Sequence, residues 1–264
     1  MTPPFYNLST FSSFPWESEF ACIYRHIPSQ EYGHFSGYFK AIKDFHRDFA
    51  LIGLDSQLNA LSKNTQAFIN GKKSSHALLW GARGCGKSSC LQLVLSSFLH
   101  KDSPLRIIEL PMECLYLVGF VQDVVRELPY KFIIVCDDLS LSPNENSYKS
   151  LKSVLEGSFE NKPTNILFYT TSNQRHLIAE SYPQDTLHLN DAKDEILSLS
   201  DRFGLALGFY TLGRLEFLDL VAELLNTPLD EETKRKALQF STLKGSNAPR
   251  IAQEFCTLYH NKII

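Results

Sequence analysis

Gly81-Ala82-Arg83-Gly84-Cys85-Gly86-Lys87-Ser88 has the spacing of a loop that wraps a phosphate. Glycines at 81, 84 and 86 allow a tight backbone path, so consecutive N–H groups can point at an anion. The Lys87 ammonium would add charge at the β- and γ-phosphates, and the Ser88 hydroxyl, followed by Ser89, would supply a ligand for Mg²⁺. A second chemistry-bearing pair, Asp137-Asp138, ends the apolar run Phe132-Ile133-Ile134-Val135-Cys136. On a strand, that spacing delivers a carboxylate to the sheet edge where ligands sit. Asp137 would then hold the metal, usually through water, and Asp138 would orient or activate an attacking water.

These residues need elements to position them. His76-Ala77-Leu78-Leu79-Trp80 reads as a buried strand ahead of the loop, and Ser89 to Leu95 has helical spacing after it. Asp55 opens a helix with Leu58, Leu61 and Phe68 on one face, stopped by Gly71. Leu105–Leu110, Lys131–Asp138, Asn165–Thr171 and Leu205–Leu212 read as further strands, separated by helical stretches at Leu115–Leu128 and Ser147–Phe159. Continuous apolar strands alternating with helices predict an α/β fold: a five-stranded parallel sheet covered on both faces. From 213 onward the pattern is wholly helical, with segments at Leu215–Leu225, Asp230–Leu243 and Ala248–His260. The expected division is an aromatic-rich arm over 1–50, a nucleotide-binding domain over 51–212 and a small helical lid over 213–264. The arm holds Phe5, Tyr6, Phe11, Phe14, Trp16, Phe20, Tyr24, Phe35, Tyr38, Phe39, Phe45 and Phe49 without clean alternation. It reads as short helices packed on the body, with partner docking as the other reading.

A chain of 264 residues with 44% hydrophobic and 21% charged residues can bury a substantial core. A net charge of −3 provides no general basic field for nucleic acid or anionic lipid. The six cysteines form neither a C-x-x-C pair nor a metal-ligand spacing, which fits a reducing, cytoplasmic setting. Met1-Thr2-Pro3-Pro4 begins no signal peptide and no apolar run is long enough to span a bilayer, so no membrane partner is expected. Cys85, at a predicted helix N-terminus, is a candidate for a lowered thiol pKa and a redox brake. Leu117-Val118-Gly119-Phe120 could be an aromatic pore loop, although its helical apolar context favours core packing.

From Leu51 to its end the chain resembles the AAA+ ATPases. Leu51-Ile52-Gly53 before a helix is similar to the adenine-pocket segment, Gly81–Ser88 to Walker A, and Phe132–Asp138 to Walker B. Thr170-Thr171-Ser172-Asn173 is similar to sensor 1, with Asn173 as the polar residue that positions water. Ser200-Asp201-Arg202-Phe203-Gly204 resembles the arginine-finger segment of the bacterial branch-migration motor, and Ala248-Pro249-Arg250-Ile251-Ala252 its sensor 2. Several runs are also similar to a bacterial AAA+ family known only as a domain of unknown function. These are Leu79–Gly84, Cys136–Ser140, Tyr148–Lys152 and Ser172-Asn173-Gln174-Arg175-His176-Leu177. The resemblance implies ATP and Mg²⁺ as cofactors, a homo-oligomeric ring with Arg202 acting in trans, Arg250 reaching the γ-phosphate, and a protein or nucleic-acid client. Most AAA+ motors carry glutamate where Asp138 stands, one methylene longer. That departure predicts slow basal hydrolysis, or a nucleotide-gated adaptor that scarcely hydrolyses ATP. A small-molecule kinase is disfavoured by the helical C-terminal segment and by the lack of a substrate-binding insertion.

Overall fold

A computed structural model of the chain describes residues 14–27, 36–43, 45, 51–140, 146–156, 162–173 and 199–264. Phe5, Tyr6, Phe11, Phe35 and Phe49, the end of the helix expected to reach Phe159, and Gln174–Leu177 lie outside the described residues.

The strands are β1 (Ala21–Ile27), β2 (Ser36–Ala41), β3 (Ala77–Gly81), β4 (Leu105–Glu109), β5 (Lys131–Cys136), β6 (Ile166–Ser172) and β7 (Leu205–Phe209). The helices are α1 (Asp55–Ile69), α2 (Lys87–Ser97), α3 (Val118–Val125), α4 (Asn146–Glu156), α5 (Arg214–Leu225), α6 (Glu231–Lys244) and α7 (Pro249–His260), with a 3₁₀ turn at Met112–Leu117. One sheet has the order β2-β1-β4-β5-β6-β3-β7. The five strands expected from sequence are all present and parallel, but the sheet has seven strands and is mixed, because β2 runs antiparallel to β1.

The two added strands come from the aromatic segment, where short helices were expected. In β2 the period of two is real but brief, with Gly37 and Phe39 inward and Tyr38 and Lys40 outward. Tyr24 lies over Gly37 so closely that a Cβ there would fall 2.1 Å from its hydroxyl. Phe14, Trp16, Tyr24 and Phe39 form one aromatic cluster, which meets Phe132 of β5 through Trp16 at 5.0 Å. Arg106 fastens this segment to the body. Its buried guanidinium lies against the rings of Phe20 and Tyr130 and donates to the carbonyls of Trp16, Ser103 and Leu105.

The sheet has an apolar layer on each face. Ile108, Phe132, Ile134, Cys136 and Phe168 pack with α3 and α4 on one side. Leu79, Ile107, Ile133, Leu167 and Tyr169 pack with α1 and α2 on the other. Val118 is fully buried and Gly119 meets Val154, so Leu117–Phe120 belongs to core packing, with Phe120 at its edge. α5, α6 and α7 close a separate small core around Phe217, Val221, Ala237, Ala252 and Phe255. All six cysteines are free and buried. Among the described residues no helix is long and apolar enough to cross a membrane.

His76, just ahead of β3, accepts a hydrogen bond on Nδ1 from the Phe168 N–H at 3.1 Å. Burial, and secondarily the charge of Lys162, pull its pKa from 6.5 to about 4. The neutral ring is therefore the folded form, and the unfolded chain binds the extra proton between those two pH values. Stability attached to His76 is complete above pH 6.5 and is lost as pH falls towards 4, by up to about 3 kcal/mol. His76→Asn keeps an acceptor without the titration. Urea unfolding of this variant is expected to show a shallower loss of midpoint than the parent over that window.

Candidate functional site

The phosphate-loop pattern sits where its spacing requires, between the end of β3 and the start of α2. Gly81 has φ 138° and runs so close to β7 that a Cβ would lie 1.9 Å from the Phe209 carbonyl oxygen. The Ala82 N–H donates to that same oxygen at 3.3 Å, which registers the loop on the sheet. Gly86, at φ 92°, caps α2, so the first-turn N–H groups of the helix face the loop without intrahelical partners. Three oxygens hold the Lys87 ammonium: Gly81 O at 2.8 Å, Ala82 O at 2.9 Å and Asn173 Oδ1 at 3.0 Å. Burial lowers the Lys87 pKa, while Cys85, Asp138 and Asp137 push it back.

Strand β5 ends one residue short of its two acids. Asp137 Oδ1 accepts from Ser88 Oγ at 2.7 Å and from Thr171 Oγ1 at 2.5 Å. Asp138 lies in the left-handed region at φ 54°, its N–H donating to Thr171 Oγ1 at 2.8 Å. Its carboxylate accepts a short hydrogen bond from the Asn173 amide. Asn173 therefore joins Lys87 to Asp138, and Thr171 joins the two aspartates. Ser88 and Asp137 form an adjacent all-oxygen pair of the kind a hard cation such as Mg²⁺ takes.

Around this network lies a cleft of about 410 Å³, lined also by Leu51, Arg83, Gly84, Ser89 and Arg250. Arg250 comes from the helical C-terminal segment, second in α7 after Pro249, and its backbone N–H donates to the Gly84 carbonyl at 3.2 Å. A Cβ on Gly84 would press within 3.0 Å of the Arg250 Cβ, so glycine is what lets α7 dock on the loop. Ile52 and Gly53 stand beside the cleft rather than in its lining: Ile52 packs on the α5–α7 core and Gly53 turns the chain at φ 72°.

One expectation changes. The Cys85 side chain is only 2% exposed, and burial raises its thiol pKa against the opposing pull of Lys87. Its position at the helix start therefore yields no reactive thiolate. Arg202 is not gathered into the cleft. It lies in the turn before β7, at the edge where the parallel strands begin, and pairs with Glu156 at 3.4 Å. Sequence reasoning also passed over two residues. Thr171 has no assigned role in the sensor-like motif, although its hydroxyl bridges both acids. Glu109 ends β4 opposite Val135, on the same face as Asp137. Burial first, and then the Asp137 charge, raise its pKa, with Arg25 opposing. Its signal was the one that revealed Asp137, an apolar run ending in an acid.

Among solved structures, a variant of the RuvB protein of Thermotoga maritima superimposes with a TM-score of 0.52 at 14% identity, over 78% of this chain and 62% of that one. An Aeropyrum pernix Orc1 protein in complex with DNA gives 0.53 at 16%, over 80% and 60%. AMPPCP-bound DnaA from Aquifex aeolicus gives 0.52 at 13%, over 80% and 63%. The chain spans about three fifths of the length of these proteins, and at such identities the likeness is one of fold. No curated protein matches the chain. The model of the family described as "Protein of unknown function (DUF815)" matches residues 25–263, and the chain belongs to that family, whose fold here is the α/β phosphate-loop fold of the AAA+ ATPases.

Proposed function

We propose that the chain is a Mg²⁺-dependent ATPase of slow basal rate that couples its nucleotide state to movement of the helical segment and acts, as an oligomer, on a macromolecular partner. The observation that carries this reading is the continuous network Lys87–Asn173–Asp138–Thr171–Asp137–Ser88, which collects an ammonium, a metal-class oxygen pair and a water-orienting acid at one sheet edge.

Among the described residues Lys87 is held by neutral oxygens. The triphosphate of ATP offers it charged ones, which make the stronger hydrogen bonds. Ser88 and Asp137 would hold Mg²⁺, which supplies neutralisation of charge on the phosphate oxygens. Thr171 fixes the Asp137 carboxylate for that task. Asn173, once its oxygen is no longer bound to Lys87, is free to orient water, and Asp138 is the base that takes the proton. Arg250 contributes a guanidinium from α7, so the helical segment, acting as a lid, senses the γ-phosphate directly. Arg202 would serve the site of a neighbouring copy.

A second reading, a nucleotide-gated adaptor, is favoured by Asp138 itself, since it is a short acid already engaged by Asn173. Rapid-quench measurement of one turnover with enzyme in excess separates the two. The ATPase reading predicts a full equivalent of free phosphate in the presence of magnesium. Bound ATP that persists unhydrolysed through many dissociation times contradicts it.

A further inference from the structure

At the end of the sheet opposite the phosphate loop there is a second cavity, of about 400 Å³, that takes no part in the reading above. Lysines from three places converge on it: Lys72 and Lys73 from the loop after α1, Lys131 from the first position of β5, and Lys162 from just before β6. Among the described residues of its lining there is no acid. The chain as a whole carries −3, so this is a local concentration of charge rather than a general field.

Two of the ammonium groups are fixed in place. Lys131 Nζ donates to the Thr164 carbonyl at 3.1 Å and sits 5.2 Å from the Phe68 ring centroid. Lys162 Nζ donates to the Leu155 carbonyl at 2.6 Å. Each has three N–H donors, of which one goes to a carbonyl and two are unspent among the described residues. His76 lines the same cavity. Its Nδ1 is taken as an acceptor by Phe168, which leaves Nε2 as the protonated nitrogen of the neutral ring and a further donor. The site is thus rich in donors and positive charge, while Phe68, Val154 and Leu167 give it apolar walls. A bare inorganic ion would leave those walls unused, and a nucleic-acid strand needs an open groove rather than a concave cavity. The volume falls in the range of small-molecule sites.

The geometry points to a binding site for a small phosphorylated organic molecule, its phosphate among Lys72, Lys73, Lys131 and Lys162 and its organic part against Phe68 and Val154. The proposal is independent of ATP binding at the phosphate loop, and its test uses the full chain carrying Lys87→Ala to remove that loop's contribution. Calorimetric titration with phenyl phosphate is expected to show one saturable site, with inorganic phosphate binding at least about fivefold more weakly because it leaves the walls uncovered. Lys72→Ala/Lys73→Ala, both exposed on the loop after α1, should weaken phenyl phosphate about tenfold without shifting the melting temperature. Lys131→Gln should weaken it independently. No saturable heat up to about 5 mM phenyl phosphate, or unchanged affinity in both variants, overturns the proposal. So does binding of a single-stranded thymidine dodecamer, lost in the same variants, where phenyl phosphate shows none.

Discussion

Arg202→Ala is expected to lower ATP turnover about a thousandfold and to leave ATP affinity within about twofold of the parent. The expectation rests on where Arg202 stands. It precedes β7 at the edge where the parallel strands begin, whereas the phosphate loop follows β3 at the edge where they end. It cannot reach its own chain's phosphate, so a catalytic role requires a neighbouring copy. Its ion pair with Glu156 joins side chains that are 47% and 30% exposed, and a pair so placed is worth about 0–1 kcal/mol. Releasing the guanidinium to a partner's phosphate therefore costs little. Mixing Arg202→Ala with Lys87→Ala chains should restore part of the turnover, because each supplies what the other lacks at a shared site. Glu156→Ala is the control: a finger survives it, while an arginine that merely ties α4 to the turn loses as much as Arg202→Ala does. No rescue in the mixture, with Glu156→Ala as damaged as Arg202→Ala, would assign Arg202 a structural role.

Asp138→Asn is the second large effect, a loss of about a hundred- to ten-thousandfold in the single-turnover rate with ATP binding retained. Asparagine suits the backbone here, since the left-handed φ of 54° is one that aspartate and asparagine adopt more readily than longer side chains. That conformation is also a physical reason for aspartate where most AAA+ motors carry glutamate. The Asn173 amide keeps an oxygen to donate to, so the fold of the site should survive and a rate loss reports chemistry. A rate unchanged by this substitution would move the base elsewhere, and Glu109, beside Asp137 on the same face, is the acid next in position.

Much of this was legible in the residues. The loop pattern, the acids after an apolar strand and the glycine spacing are local, so neighbouring residues alone reveal them. The two N-terminal strands were not. Alternation in β2 lasts only from Gly37 to Lys40, and the aromatics around it mask a period of two, so what makes these residues strands is the pairing of β1 with β4, some eighty positions away, and of β2 with β1. The bridging hydroxyl of Thr171 was invisible for the same reason, because its partners arrive from β5 and not from its own neighbourhood. Cys85 shows the converse error. Position at a helix start argued for a low thiol pKa, but tertiary packing buried the sulfur and reversed the sign. The sheet-edge position of Arg202 needed the strand order, which composition and periodicity do not contain.

The central claim is that the loop after β3 holds the phosphates of ATP through Lys87, and titration calorimetry with ATP and magnesium tests it most directly. The account predicts one binding event per chain for the parent and a loss of at least about a hundredfold in affinity for Lys87→Ala, whose ammonium is replaced by nothing able to carry charge. A well-folded parent that gives no heat, or a Lys87→Ala chain that binds as tightly as the parent, would contradict it.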